Sequence, residues 1–295
     1  SYNNLALLYK TQKRYAEAED LYNKALEIRK KVLPADHPYL ATSYNNLAGL
    51  YESQGRYAAA EDLYNKALEI DRSIYPDNHS EIATDMNNLA LLYESQGRYA
   101  EAEDLYNKAL EILKNAYEAD HPDIATSYSN LAGLYESQER YAEAEDLNNK
   151  ALEIRKKVLP ADHPDLANSY NNLALLYQKQ GRYAEAEDLY NKALVLLEQK
   201  LGKEHPTTVT VTSNTALFYK EWGRTERAIE LFEAVIAATF ESPAPDWSKY
   251  FGAAESLVEL YTQTGNEEEA ARYRGLLDEL EKLLETTDES DEEDG

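Results

Sequence analysis

Two residue types recur at a spacing that could do chemistry. Asparagines stand at Asn4, Asn46, Asn88, Asn130, Asn172 and Asn214, with a companion set one residue earlier at Asn3, Asn45, Asn87 and Asn171, where Ser129 and Ser213 fill the remaining places. A primary amide both donates and accepts, so a regular row of them can satisfy the backbone of an extended peptide without reading its side chains. The same row could instead tie one helix to the next. Both readings stand for the invariant set, and the companion set, whose serines indicate looser demands, is expected to be the more exposed.

The second type is histidine. His37, His79, His121, His163 and His205 share one register, which invites the idea of a metal ladder. Packed helices lie about 8–10 Å apart, whereas two nitrogens on one zinc, each about 2 Å from it, are separated by at most about 4 Å. Adjacent copies therefore cannot share an ion. Asp-His-Pro is better suited to starting a helix, and Trp247, in the same register, points to a packing role. No metal or other cofactor is expected.

The elements that must position these residues follow from a 42-residue period. Copies begin at Ser1, Ser43, Asp85, Ser127, Ser169 and Val211, with a degenerate seventh at Ala253. A period of this length means stacked supersecondary units whose core is shared between neighbours. Within one copy Leu47, Ala48 and Tyr51, then Tyr57, Ala60, Leu63, Tyr64, Ala67 and Leu68, fall at helical spacing. Two amphipathic helices are predicted, separated by a break at Gly55. Glycine recurs there at Gly97, Gly181, Gly223 and Gly265, suited to the left-handed residue that ends a helix. Lys13 and Glu139 replace it in two copies, where the turn should be strained or differently closed. A column of Ala6, Ala48, Ala90, Ala132, Ala174 and Ala216 predicts close helix approach.

The pattern Leu-Ala-x-x-Tyr, then Gly-x-Tyr-x-x-Ala-x-x-x-Tyr-x-x-Ala, resembles the tetratricopeptide repeat across six copies. NNLALLY, KALEI and DHP resemble the 42-residue repeats of kinesin light chains and their bacterial relatives. The resemblance implies an all-α, right-handed superhelical solenoid of antiparallel helix pairs whose first helices line a concave, peptide-binding groove. It places both asparagine columns on the groove side, and a similar ladder is implied by the repeats of O-GlcNAc transferases. Pro38, Pro122, Pro164 and Pro206 fit the first helical turn, where a missing N–H costs nothing.

Further along that face Leu7, Gly49, Leu91, Gly133, Leu175 and Leu217 alternate. Gly49 and Gly133 would leave hollows for partner side chains, although duplication of a two-repeat block would leave the same pattern. Next come Lys10, Glu52, Glu94, Glu136, Gln178 and Lys220. Kinesin light chains recruit tryptophan-plus-acid peptides with basic groove residues, so the glutamates here depart from that pattern. Neutral or basic segments are expected instead, unless these are ordinary solvated helix charges.

Bulk composition agrees with a surface-rich solenoid. The chain is 43% hydrophobic with 25 tyrosines and a net charge of −25. Residues 253–295 hold 3 basic against 15 acidic residues, a balance of −12. Such a surface repels phosphate backbones and disfavours nucleic acid. No run reaches the roughly 18 apolar residues of a membrane helix. With no cysteine, disulfides and thiolate sites are excluded, which is compatible with a reducing compartment, and a cytoplasmic location is expected. Walker, Gly-x-Ser-x-Gly, His-Glu-x-x-His and dinucleotide signatures are missing, so an enzyme is not expected.

The expected organisation is one elongated domain. Six repeats fill 1–252, a degenerate seventh repeat and capping helix fill 253–285, and an acidic tail at 286–295 should be disordered. Ser1 lies inside the repeat, so the sequence is expected to be part of a longer chain whose incomplete first helix could self-associate. The expected function is a non-enzymatic scaffold holding an extended peptide or protein segment in its groove. The alternative is a regulatory or oligomerising arm of a larger signalling protein.

Overall fold

The computed structural model describes residues 2–242 and 246–293, and among them every regular element is helical. Fourteen helices follow one another: α1 (Tyr2–Thr11), α2 (Tyr15–Val32), α3 (Pro38–Ser53), α4 (Tyr57–Ile74), α5 (Ser80–Ser95), α6 (Tyr99–Ala116), α7 (Pro122–Ser137), α8 (Tyr141–Val158), α9 (Pro164–Lys179), α10 (Tyr183–Leu201), α11 (Pro206–Glu221), α12 (Thr225–Glu241), α13 (Trp247–Gln263) and α14 (Glu267–Glu293). Each odd-numbered helix packs on the even-numbered one that follows it. The chain divides into two compact units, Ser1–Leu159 and Pro160–Gly295. The division falls in the loop that precedes α9. No helix among the described residues is long and apolar enough to cross a membrane.

The starts of the first helices explain the histidine register. His37 Nδ1 accepts from the backbone N–H of Tyr39 at 3.1 Å, and His79, His121, His163 and His205 accept at 3.2 Å from the N–H two residues on. Each imidazole is thus an N-cap that satisfies one of the helix's orphan donors. Proline takes the first turn of α3, α7, α9 and α11. In α13 the cap passes to Asp246, whose Oδ1 accepts from Ser248 N–H at 3.1 Å. Trp247 there packs edge-on against Phe240 and Tyr250.

The break between paired helices is a left-handed residue in every copy. Gly55, Gly97, Gly181, Gly223 and Gly265 have φ between 71° and 76°, and Lys13 and Glu139 adopt the same conformation at 61° and 59°. The two substituted turns therefore keep the shape of the others and carry the Cβ strain that glycine avoids.

Every member of the alanine column is fully buried, so the helices of a pair meet with nothing larger between them. Tyrosines of the second helices, Tyr22, Tyr64, Tyr106 and Tyr190, fill the space beside it. At the other end Tyr273 and Leu280 of α14 are buried against α13, with Leu276 and Leu277 half-buried. Helix α14 continues to Glu293, past residue 285 where the sequence reading ends it, because no glycine or proline intervenes before Gly295. Residues 294–295 lie outside the described residues.

Candidate functional site

Within the N-terminal unit the first helices α1, α3, α5 and α7 stand side by side. Helical spacing puts one exposed stripe on each. On α3 it is Thr42, Asn46, Gly49 and Ser53; on α5 it is Thr84, Asn88, Leu91 and Ser95; on α7 it is Thr126, Asn130, Gly133 and Ser137. In the C-terminal unit α9 repeats it with Asn168, Asn172, Leu175 and Lys179. These positions lie at i, i+4, i+7 and i+11, so they form one line along each helix. The invariant asparagines occupy the middle of it. Asn46, Asn88, Asn130 and Asn172 are half-buried and make no side-chain hydrogen bond to a described residue, while Asn4 is exposed.

The companion column behaves in the opposite way to the expectation of greater exposure. Asn45 Nδ2 donates to Asp85 Oδ1 at 2.6 Å, and Asn87 Nδ2 donates to Ser127 Oγ at 3.3 Å. Asn171 is buried and its Oδ1 accepts from Asn214 Nδ2 at 3.1 Å. The oxygens Asn3 Oδ1, Asn45 Oδ1 and Asn87 Oδ1 are sealed from solvent. Rotation by about 100° per residue turns this column toward the next first helix. It is therefore the set that ties helices together. Asn214 departs from the rest of the invariant column, because its amide is spent on Asn171.

The two glycines differ. A methyl group on Gly49 would lie 3.3 Å from Lys10 Nζ and 3.4 Å from Tyr64 Oη, so that hollow is already roofed by a lysine. At Gly133 a methyl would meet nothing within 4 Å, and the hollow is open. The next residues on the face are held rather than freely solvated. Tyr64 Oη donates to Glu52 Oε2 at 3.0 Å, Tyr106 Oη to Glu94 Oε2 at 3.1 Å, Asn148 Nδ2 to Glu136 Oε1 at 3.3 Å, and Tyr190 Oη to Gln178 Oε1 at 2.9 Å. Burial pushes the Glu94 carboxyl above its ordinary range, against the hydrogen bonds from Tyr106 and Ser137. Burial lowers the Lys10 ammonium, with Glu52 opposing. Lys220 lies on the same line in the C-terminal unit and pairs with Glu259. The stripe in the N-terminal unit is thus an amide row flanked by anchored carboxylates.

A second periodic constellation escaped the sequence reading. Tyr51 Oη donates to Glu19 Oε1 at 2.9 Å while Arg56 binds Glu19 Oε2 at 2.8 Å and lies 3.8 Å above the Tyr51 ring. Tyr93, Glu61 and Arg98 repeat the arrangement, as do Tyr135, Glu103 and Arg140. Each set joins one repeat to the next. The signal was present as Glu, Tyr 32 residues later and Arg 5 after that, but a fixed offset across two repeats is invisible to a reading within one. Among the described residues no three histidine, aspartate or glutamate side chains converge so as to hold a metal ion.

Pairs of helices packed on an alanine column, joined by left-handed turns and recurring every 42 residues, make this a tetratricopeptide-like repeat scaffold. The profile of the tetratricopeptide repeat matches residues 1–73, 81–157 and 165–239, and the chain belongs to that family. Among curated proteins none matches it. Solved structures similar to it include nearly identical TPR-like repeats of a kinesin light chain from Podosopora anserina, at 27% identity and TM-score 0.57 over 68% of this chain and 96% of that one. BtubC from P. vanneervenii is similar at 20% identity and TM-score 0.64, covering 83% and 92% of the two chains. A Rap protein in complex with competence and sporulation factor is similar at 19% identity and TM-score 0.66, covering 96% and 75%.

Proposed function

We propose that this scaffold holds an extended segment of another protein along the first helices of its N-terminal unit, gripping the segment's backbone with Asn46, Asn88 and Asn130. The observation that carries the reading is the contrast between neighbouring columns: one set of amides is consumed inside the protein, and the other stands in the exposed stripe with its donors and acceptors unspent. An amide accepts and donates at once, which suits a peptide unit and is indifferent to side chains. The anchored Glu52, Glu94 and Glu136 beside the row favour neutral or basic segments, and the open space at Gly133 suits a side chain. The Rap complex is an example of the same fold engaging a factor. The role is non-enzymatic, since the carboxylates of the exposed face, Glu52, Glu94 and Glu136, recur from copy to copy without the asymmetric environment a catalytic pair needs.

Panning a random phage-displayed dodecapeptide library against the chain tests this. The enriched peptides are expected to be rich in Lys and Arg. The double variant Asn88→Ala, Asn130→Ala should bind them about tenfold or more weakly, the loss of about two net hydrogen bonds, with its Tm unmoved. Enrichment of acidic peptides, or binding that survives the double variant, overturns the reading.

A further inference from the structure

The seam between α4 and α5 breaks the repeat's own rule. At α2–α3 the corresponding layer is cationic and neutral: Arg29 donates to Ser43 Oγ at 2.6 Å and to the Tyr39 carbonyl at 2.7 Å. At α6–α7 it is Leu113 and Ser127, both buried. One period from each of these stand Asp71 and Asp85, 4% and 1% exposed, their carboxyl groups adjacent across the seam. Asn45 Nδ2 serves Asp85 Oδ1, but Asp71 Oδ1 and Asp85 Oδ2 are buried with no donor facing them. Two carboxylates cannot touch without a proton between them, because like charges in a low-dielectric seam exclude double ionisation.

We propose that the α4–α5 seam is a proton-dependent joint beneath the asparagine row: one proton shared by Asp71 and Asp85 locks the second and third repeats together, and its loss loosens them. Every other group near the pair is consistent with this. α5 adds Glu81, a further negative charge, and His79 at its cap, which opposes it; α4 ends in Tyr75; α3 contributes the neutral Asn45. α6 brings Ala109, Leu110 and Leu113 to the same core. Burial pushes Asp85 up to about 7, against the Asn45 hydrogen bond and with Asp71 and Glu81 adding to it, and burial also raises Asp71, with Glu81 adding and the Asp85 contact opposing. The unfolded chain releases these protons near pH 4. Between about pH 4 and 7 the folded state therefore binds more protons, and stability falls as pH rises through that window and levels off above it. Asn45 precedes Asn46 on α3, and Asp85 lies one turn before Asn88 on α5. Loosening this joint separates two rungs of the row, so protonation regulates the grip; that last step rests on the peptide-gripping reading, and the joint does not.

The chain has no cysteine, so spin labels can be placed cleanly at Thr42→Cys on α3 and Thr126→Cys on α7, both in the exposed stripe. Their distance distribution is expected to broaden or lengthen between pH 5 and pH 8. Asp85→Ser, which restores the residue of neighbouring copies, should abolish that change and raise Tm at pH 8 by a few degrees. Asp77→Ser, an exposed change of the same charge, should leave both responses as they are. An unchanged distance distribution, or a Tm response shared by the Asp77 variant, overturns the joint. This measurement needs no peptide. If the joint responds but library peptides bind equally at both pH values, the joint stands and its control of the grip is overturned.

Discussion

In the N-terminal unit the turn between helices is closed by charge, and in the C-terminal unit by rings. Tyr51, Tyr93 and Tyr135 each donate to a glutamate of the preceding repeat at 2.9 Å, with an arginine stacked on the tyrosine. Such bonds persist in the C-terminal unit, Tyr219 to Glu187 and Tyr261 to Glu233, both at 2.8 Å, and Arg182 stacks on Tyr177 at 3.7 Å, but around Tyr219 rings are added to the charges. Trp222 takes the place held by Gln54, Gln96 and Gln138, and Phe218 takes that of Leu50, Leu92 and Leu134. Trp222 stacks on Tyr183 at 5.8 Å, and Phe218 packs between Tyr183, Tyr190 and Tyr219 at 5.0–6.1 Å. The stabilisation is of different size in the two regions. A half-exposed ion pair contributes up to about 1 kcal/mol, whereas a buried ring contributes several times that through apolar area and ring contacts. The periodic clamp suits copying; the aromatic cluster suits one place.

The largest effect follows from removing the centre of that cluster. Phe218 is fully buried among Tyr190, Ala228, Phe232 and Ala174. Phe218→Ala should cost about 3–5 kcal/mol in urea denaturation, with loss confined to the transition of the C-terminal unit. A cost below about 1 kcal/mol would mean that the rings repack and that the contrast between the regions is only compositional.

Glu61 tests the other side of the comparison. Glu61→Ala leaves Tyr93 Oη and Arg98 without their shared acceptor and should cost about 1–2 kcal/mol, because the Arg98 and Glu61 side chains are 30% and 28% exposed and water replaces part of the bond. The cost should shrink in 1 M salt, where the Debye length falls to about 3 Å. A salt-independent cost would assign the stabilisation to packing of the tyrosine ring instead.

These outcomes bear on what was legible in the chain. The alanine column, the histidine starts and the left-handed turns could be read because each is satisfied within a single copy or at its boundary. The asparagine columns were visible as columns, yet which was spent and which was free could not be read, since adjacent helix positions differ only by rotation and the partner of Asn45 lies 40 residues on. The serines of the companion column misled for the same reason: Ser129 Oγ accepts from Arg155 of the following helix at 3.0 Å and Ser213 is buried, so variation there reflects a change of internal partner and not exposure. The acid pair was hidden because Asp71 and Asp85 each read as ordinary helix charges until the fold placed them in one seam.

The smallest effect separates the turns themselves. Described turns of the C-terminal unit use Gly181, Gly223 and Gly265, while the N-terminal unit tolerates Lys13 and Glu139 at positive φ. An L residue in that conformation costs roughly 1–2 kcal/mol, offset in part by the extra freedom glycine has in the unfolded chain. Glu139→Gly should therefore stabilise the N-terminal unit by about 0.5–1 kcal/mol, and the reverse change, Gly181→Ala, should destabilise the C-terminal unit by a similar amount. The side chain at 139 is exposed, so packing enters neither number. If Glu139→Gly is neutral or harmful by thermal melting, the glutamate must interact favourably across the turn, and the N-terminal unit would then differ from the C-terminal one in its turns by added contacts and not by strain.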